Sequence, residues 1–156
     1  MKEIKLNHGY VAQVDDEDYE YINQWNWYIS KSGDVNYARR DIKVNGKQKH
    51  LWMHRVILKI PDDMETDHID RDGLNNQKGN LRTSTRAQNN INRKTWGKSK
   101  YNGVSYNRGF IQSQINIDGV RTNLGRFKTE EEAAKRYDEM AEKYYGEYAN
   151  LNFTKK

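Results

Sequence analysis

The sequence predicts an α+β protein in which short antiparallel strands outnumber helices and the last third forms a three-stranded sheet packed on one helix. Two observations lead to this class. Segments that alternate, or that are rich in β-branched and aromatic residues, fill much of residues 1–60 and return at 101–128. One long segment, Thr129 to Tyr145, has helical periodicity instead.

Residues 1–60 predict a β-rich region. GYVAQV alternates, WNWYIS and VNYARRDIKV have strand composition, and Asn45-Gly46 predicts a hairpin turn before KQKHLWMHRVIL. The acidic segment from Asp15 to Tyr21 predicts one helical turn. The only proline, Pro61, closes the region.

Residues 66–94 have a different character. TDHID predicts a short strand, RDGLNNQKGN a loop, and LRTSTRAQNNINR a helix capped by Thr83 or Ser84. Residues 95–100 (TWGKSK) then predict a short linker. The chain is therefore expected to divide into domains at 1–94 and 101–156.

The C-terminal segment predicts strands at GVSYN, FIQSQINI and VRTNLGRF, with Asp118-Gly119 as a hairpin turn. Thr129 and Glu132 have capping-box spacing for the helix that follows, and Gly146 marks its end. Alternation in the middle strand turns its aliphatic residues toward that helix and leaves a polar face open. The open face comprises Phe110, Gln112, Gln114 and Asn116, with Arg121 and Asn123 from the next strand. Such a face suits a DNA major groove; a hydrated surface is the alternative.

Composition limits the class of protein. The absence of cysteine excludes a disulfide scaffold, an all-thiolate zinc site and cysteine nucleophile chemistry. No apolar run approaches the ~20 residues that span a bilayer, and the first residues lack the apolar region of a secretion signal. A cytoplasmic protein without a membrane partner is expected.

The net charge of +5 is concentrated in one window. Residues 66–100 hold eight basic and three acidic side chains, and no acid occurs from Gly73 to Ile117. A basic stretch mixed with Asn, Ser, Thr and aromatic residues suits a phosphate backbone, although a solvated basic face gives the same pattern.

One cluster has the residue types for phosphodiester chemistry: Asp67-His68, then Asn80, then Asn89. A carboxylate and an amide oxygen suit Mg²⁺, which keeps several waters, and a neutral imidazole accepts a proton near neutral pH. A surface hydrogen-bonded pair, a turn residue and an exposed amide are the alternatives for these positions. His50 and His54 have i,i+4 spacing, but a strand in which they pack is an equally good interpretation, so they are left out of the metal set.

MHRVIL followed by TDHIDRDGLNNQKGNLRTSTRAQNN resembles the HNH homing endonucleases of phages and bacteria, over about residues 50–92. The resemblance implies a ββα-metal finger, two strands and a helix around one divalent ion, preceded by an "HR" strand. It implies Asp67 and Asn89 as metal ligands, His68 as the general base and Asn80 as the residue that pins the loop. It also implies that Arg82 contacts a phosphate. The implied cofactor is Mg²⁺, or Mn²⁺.

Residues 101–153 resemble the plant APETALA2/ethylene-response-factor DNA-binding domain through YNGVSYN, LGRFKTEEEAAKRYDEMA and YGEYANLNF. That family lays its three-stranded sheet in the major groove. Its members use Arg and Trp on the sheet, whereas this chain has Ser105, Asn107, Gln112, Gln114 and Asn116. The resemblance therefore implies duplex DNA as partner and leaves the target sequence undefined.

Together these features predict a metal-dependent DNA endonuclease of a mobile element, with one active site per chain and hence nicking activity. It is expected to act as a monomer or weak dimer in a bacterial or phage-infected cell. The DNA-binding candidates are Arg82, Arg86, Arg93, Lys94, Lys98, Lys100, Asn107, Arg108, Phe110, Gln112, Gln114, Asn116, Arg121 and Asn123. A non-catalytic DNA-binding regulator is the alternative, and an RNA-binding protein a third possibility.

Overall fold

The computed structural model describes residues 1–92 and 97–153, and it confirms the α+β class. The chain forms two compact units, Met1–Asn89 and Asn90–Lys156. The predicted linker at 95–100 lies partly outside the described residues. None of the helices in the described ranges is long and apolar enough to cross a membrane.

The first unit begins with a hairpin of β1 (Lys2–Lys5) and β2 (Val11–Val14), joined through a short 3₁₀ turn at Asn7–Gly9. Helix α1 (Asp16–Asn23) follows and has two turns rather than the single turn expected. An antiparallel sheet then forms from β3 (Tyr28–Ser32), β4 (Val35–Val44) and β5 (Lys47–Trp52), with the predicted turn at Asn45-Gly46.

The segment MHRVIL, expected as an "HR" strand, is a helix: α2 (Met53–Leu58) starts where the pairing of β5 with β4 ends, at Trp52 opposite Arg39. The physical reason is burial, because Met53 and Ile57, four residues apart, both enter the core. Arg55 on this helix donates to the carbonyls of Met64, at 2.7 Å, and Pro61, at 2.8 Å, and so fixes the chain that leads to the next strand.

Strands β6 (Glu65–His68) and β7 (Leu81–Ser84) pair antiparallel, and α3 (Arg86–Ile91) follows β7. This is the ββα order expected from the resemblance. The expected helix over LRTSTRAQNNINR is shorter because LRTS pairs with β6 instead. Its cap is therefore Thr85, not Thr83 or Ser84: the Thr85 amide donates to Gln88 Oε1 at 2.8 Å, and the Gln88 amide donates to Thr85 Oγ1 at 3.3 Å.

One buried cluster supports this unit, with members from β1, β2, α1, β4, α2 and β7 and from the segments between them. Trp27 lies at its centre, with its indole nitrogen donating to the Ile22 carbonyl at 2.8 Å. The loop between β6 and β7 is attached to β2, because the Gln13 amide donates to Leu74 and the Asn76 amide donates to Gln13. The buried members are Ile4, Leu6, Ala12, Val14, Ile22, Trp27, Ala38, Met53, Ile57 and Leu81.

The second unit contains the three predicted strands, β8 (Val104–Asn107), β9 (Phe110–Ile117) and β10 (Val120–Phe127), with β9 central. Helix α4 (Glu130–Tyr145) packs on one face and has the predicted Thr129–Glu132 capping box and Gly146 at its end. Ala133, Ala134, Tyr137 and Ala141 are its buried residues. Two small clusters form its core.

Candidate functional site

Asp67 lies on β6, directly opposite Arg82 on β7. Its side chain is 3% exposed, and the Arg82 guanidinium donates to Oδ2 from Nε at 2.7 Å and from Nη2 at 2.6 Å. A buried carboxylate needs such compensation, since desolvation disfavours an isolated charge. Arg82, expected at a phosphate, is therefore engaged with Asp67 in this structure.

His68, the next residue, is also buried. Its ring contacts those of Tyr37 and His54, with centroids 5.7 and 5.1 Å away. Burial lowers the pKa of His68, opposed by a hydrogen bond with Asn76 and by the charges of nearby aspartates. The imidazole is therefore neutral at pH 7, which is the protonation state that a general base requires.

Asn80 closes the loop between the two strands. Its Nδ2 donates to Asp70 Oδ1 and to the Asn75 carbonyl, both at 2.9 Å, while its Oδ1 accepts from the Asp70 amide at 3.0 Å. Burial alone would raise the pKa of Asp70, but hydrogen bonds from the Asp72 amide, Asn75 and Asn80 hold it below its usual value. Asn80 thus makes the hydrogen bonds expected of a residue that holds this loop in place.

Asn89 lies on α3. Its Nδ2 donates to Glu65 Oε2 at 2.7 Å. Glu65 and Asp67 are two residues apart on β6 and share a face of the strand. The structure therefore joins Asn89 to Glu65, two residues before Asp67 on the same strand, and Glu65 is a carboxylate that the sequence reasoning missed.

These donors fit a hard divalent cation. Two carboxylates and an amide supply only oxygen ligands, which Mg²⁺ and Mn²⁺ prefer, and they leave most positions for water and phosphate oxygens. Among the described residues, no group of three or more His, Asp or Glu side chains is arranged to hold a metal ion. A closed protein cage of the zinc type is thus not present in that part of the chain, whereas an open, water-rich site needs fewer protein ligands.

A cleft of about 350 Å³ opens beside the site. It is lined from both the first sheet and the ββα element, by residues that include Tyr37, Trp52, His54, Glu65 and Asn89. The sequence analysis considers His54 as a packing residue and leaves it out of the metal set, and its ring does pack against those of Tyr37, Trp52 and His68. In the sequence, His54 stands out only by the His-Arg pair and by its spacing from His50. His50 lies on β5 beside Asp41, with its Nδ1 2.5 Å from the Asp41 Oδ1.

The predicted DNA-binding residues occur in both units. Arg86 is exposed at the start of α3, and Lys98, Lys100 and Arg108 are exposed in the second unit. Arg93 and Lys94 lie outside the described residues.

On the sheet face opposite α4, Phe110, Asn116, Arg121 and Asn123 are exposed, and Asn107 is exposed at the end of β8. Gln114 is half-buried. Gln112 departs from the expected open position, since it is only 9% exposed. Asn107 Nδ2 donates to its Oε1 at 3.4 Å, and Arg126 lies opposite it on β10.

Arg126 is a further residue that the sequence reasoning missed on this face. The pairing of β9 with β10 shifts register between Asn123 and Gly125, so Arg126 rather than Gly125 pairs with Gln112. The guanidinium carbon of Arg126 lies 4.5 Å from the centre of the Phe110 ring.

Comparisons with known proteins agree with this geometry. The family model described as HNH endonuclease matches residues 51–91, which contain α2, the ββα element and its loop. The chain is 33% identical, over 148 residues, to an uncharacterized HNH endonuclease of Acanthamoeba polyphaga mimivirus; the alignment covers 92% of this chain and 75% of the viral protein. No solved structure matches the chain. Nucleases of this family generally use a divalent metal. On the family match and this relative, whose length the chain largely covers, the protein belongs to the HNH endonuclease family.

Proposed function

We propose that the chain hydrolyses a phosphodiester bond of duplex DNA, with His68 as the general base. The observation that carries the proposal is a buried imidazole, held neutral by its surroundings, directly after a buried carboxylate on β6. A neutral imidazole takes a proton from an attacking water at neutral pH, and such a base contributes about 10²–10⁴-fold to the rate.

Asp67 and Asn89 would hold the divalent ion, with Glu65 as a further oxygen donor on the same face. Mg²⁺ is proposed, with Mn²⁺ as the other hard ion that these ligands accept. When bound, it stabilises negative charge on the oxygen that leaves phosphorus. Asn80 keeps the loop after His68 closed, and Arg82 balances the charge of Asp67 and is proposed to contact a phosphate as DNA enters.

DNA binding is supported by the distribution of charge. Between Arg39 and Lys49, the β4–β5 hairpin has five basic side chains and one acid. Lys43, Lys47 and Lys49 are exposed, and the hairpin ends at Trp52 in the cleft beside His68. A two-stranded ribbon of this kind fits a groove of the duplex. In the second unit, the polar sheet face opposite α4 supports the APETALA2-like mode of binding, to which Arg126 adds a positive charge.

One candidate site per chain supports cleavage of one strand, so the product is proposed to be a nick, made by a monomer or weak dimer. The cytoplasm of a bacterial or virus-infected cell is the proposed location.

A nicking assay on supercoiled plasmid tests the proposal. His68→Ala is expected to lower the cleavage rate by about 10²–10⁴-fold, because the general base is lost. DNA affinity, measured without metal, is expected to stay within about twofold, since the uncharged ring contributes little to a binding free energy dominated by phosphate contacts.

His8→Asn is the control, because His8 is exposed in the Asn7–Gly9 turn, and asparagine tolerates its positive φ. Cleavage is also expected to stop when EDTA removes divalent ions and to return with excess Mg²⁺. Full activity of His68→Ala would exclude the base role. DNA binding without any cleavage by the wild type would favour the non-catalytic regulator.

A further inference from the structure

Three rings from three separate elements meet beside the cleft, which Tyr37 and His54 line. Tyr37 comes from β4, His54 from α2 and His68 from β6. Each pair of rings has centroids 5.1 to 5.7 Å apart and planes inclined by 60 to 85°, so each ring presents an edge to its neighbours. Trp52 closes the cluster beside Tyr37 and His54, at 5.9 and 6.1 Å. These distances and angles are those at which aromatic pairs attract.

His54 contributes ring surface to this cluster rather than a hydrogen bond. Its Nδ1 is buried and has no hydrogen-bond partner among the described residues. The helix that carries it, α2, is held by the burial of Met53 and by the two hydrogen bonds of Arg55 to carbonyls. His54 is therefore a fixed surface against which another ring can be oriented.

The ring of His68 has a hydrogen bond with Asn76, and the ring contacts act in addition to it. The χ2 angle of histidine has broad, roughly twofold preferences, so the backbone of a four-residue strand does not by itself fix the direction of the ring nitrogens. Tyr37 and His54 contact the ring from two other elements. Tyr37 is itself confined, because a Cβ on Gly73 would lie 2.5 Å from its Cδ1.

We propose that His54, supported by Tyr37, is a positioning residue that holds the His68 ring in the orientation needed to accept a proton. The proposal rests on the function proposed for His68. In this proposal, Tyr37 of the first sheet and His54 of α2 affect the reaction by ring packing, and the nitrogens of His54 take no part.

The test compares His54→Ala, which removes the ring, with His54→Phe, which keeps a flat ring without nitrogens. Loss of ring support is expected to lower kcat by about 10–100-fold, since small displacements of a reacting group cost up to about 10²-fold. KM is expected to change by less than about twofold, and His54→Phe to restore kcat to within about threefold of the wild type. His8→Asn is the control, and thermal melting establishes that each variant is folded.

A second measurement does not depend on cleavage. NMR relaxation of ¹³C-labelled histidine rings, in metal-free protein, reports the rigidity of His68. The ring order parameter is expected to fall in His54→Ala and to recover in His54→Phe. If His54→Phe is as inactive as His54→Ala, the nitrogens are required and the positioning role is wrong. An unchanged order parameter in His54→Ala overturns the proposal even if the chain cleaves no DNA, whereas inactivity of the wild type alone removes only the function proposed for His68.

Discussion

A half-buried histidine that lines the cleft, His54, couples folding to pH. Burial, with the neighbouring charges of His68 and Arg55, lowers the pKa of His54 from its ordinary 6.5 to about 3. Below pH 6.5 the unfolded chain binds a proton at this position and the folded chain does not. His54 therefore weakens the folded state increasingly as the pH falls from 6.5 toward 3, and has no such effect above 6.5.

The expected loss of unfolding free energy from His54 is about 2 kcal/mol between pH 7 and pH 5. Urea unfolding at both pH values, followed by tryptophan fluorescence, measures it in the first unit, where Trp25, Trp27 and Trp52 lie. His54→Phe cannot titrate, so its unfolding free energy is expected to fall by about 2 kcal/mol less over this range. Equal pH dependence in both proteins would contradict the burial of His54.

At this scale the sequence offers candidate site residues in the ββα element more readily than in the neighbouring elements. Asp67, His68, Asn80 and Asn89 stand in a dense local pattern, so the sequence alone is enough to propose them as site residues. His54 and Tyr37 approach His68 only through tertiary packing of separate elements, and no spacing along the chain reveals that contact. Glu65 was missed because its partner Asn89 lies 24 residues away.

At the scale of elements, the loop between β6 and β7 depends on one side chain. Asn80→Ala removes three hydrogen bonds to the Asp70 amide, the Asp70 carboxylate and the Asn75 carbonyl. The expected loss of stability is about 1–3 kcal/mol, partly because the Asn75 carbonyl loses its donor. Urea unfolding measures the change. The loss of stability is compared with that of Asn102→Ala in the second unit, which removes the Asn102 hydrogen bond to the Asn150 carbonyl. A normal loop and unchanged stability in Asn80→Ala would show that Asn80 does not pin the loop.

A second element depends on the closeness of α4 to the start of β8. A Cβ on Gly103 would collide with the Tyr137 ring, and the φ of +74° there already favours glycine. Gly119 has a similar φ of +82° in the β9–β10 turn but nothing within 4 Å. Gly103→Ala is therefore expected to cost at least about 2 kcal/mol more than Gly119→Ala in thermal unfolding, since only the former adds overpacking to backbone strain. If the two substitutions lower the stability by similar amounts, α4 can shift away from β8 to make room for the added methyl group.

Elements whose structure is encoded by neighbouring residues were predicted correctly. Elements whose structure depends on contacts with distant parts of the chain were not. The capping box, the Asp118-Gly119 turn and the strands of the second unit are confirmed because each is encoded within a few neighbouring residues. The helical state of MHRVIL, the strand at LRTS and the register shift at Gly125 depend on distant partners. Simple alternation would place Gly125, not Arg126, beside Gln112.

At the scale of the whole molecule, linear counting of charge concealed a separation within the first unit. Residues 1–65 have ten basic and eleven acidic side chains, so their net charge is close to zero. Five of the acids, Asp15 to Glu20, cluster in and around α1, whereas the β4–β5 hairpin is basic. Lys78 of the ββα loop binds this acidic helix, with Nζ 2.5 Å from Glu17 and 3.0 Å from Asp18, so one basic residue of the charged window serves the fold instead of DNA.

This separation predicts which charges set the salt dependence of DNA binding. Neutralising about six phosphates gives a log–log slope of binding constant against salt near −5 for the wild type. Lys43 and Lys49 are exposed on the hairpin, so replacing both with glutamine is expected to reduce the slope by about 2, at nearly 1 per lost phosphate contact. Lys135→Gln with Lys143→Gln removes the same charge from the exposed side of α4, away from the sheet, and is expected to leave the slope unchanged. Fluorescence anisotropy with duplex DNA, in EDTA and over a range of KCl concentrations, compares the two double variants. Equal slopes for both would mean that only net charge matters and that the hairpin does not lie on the DNA.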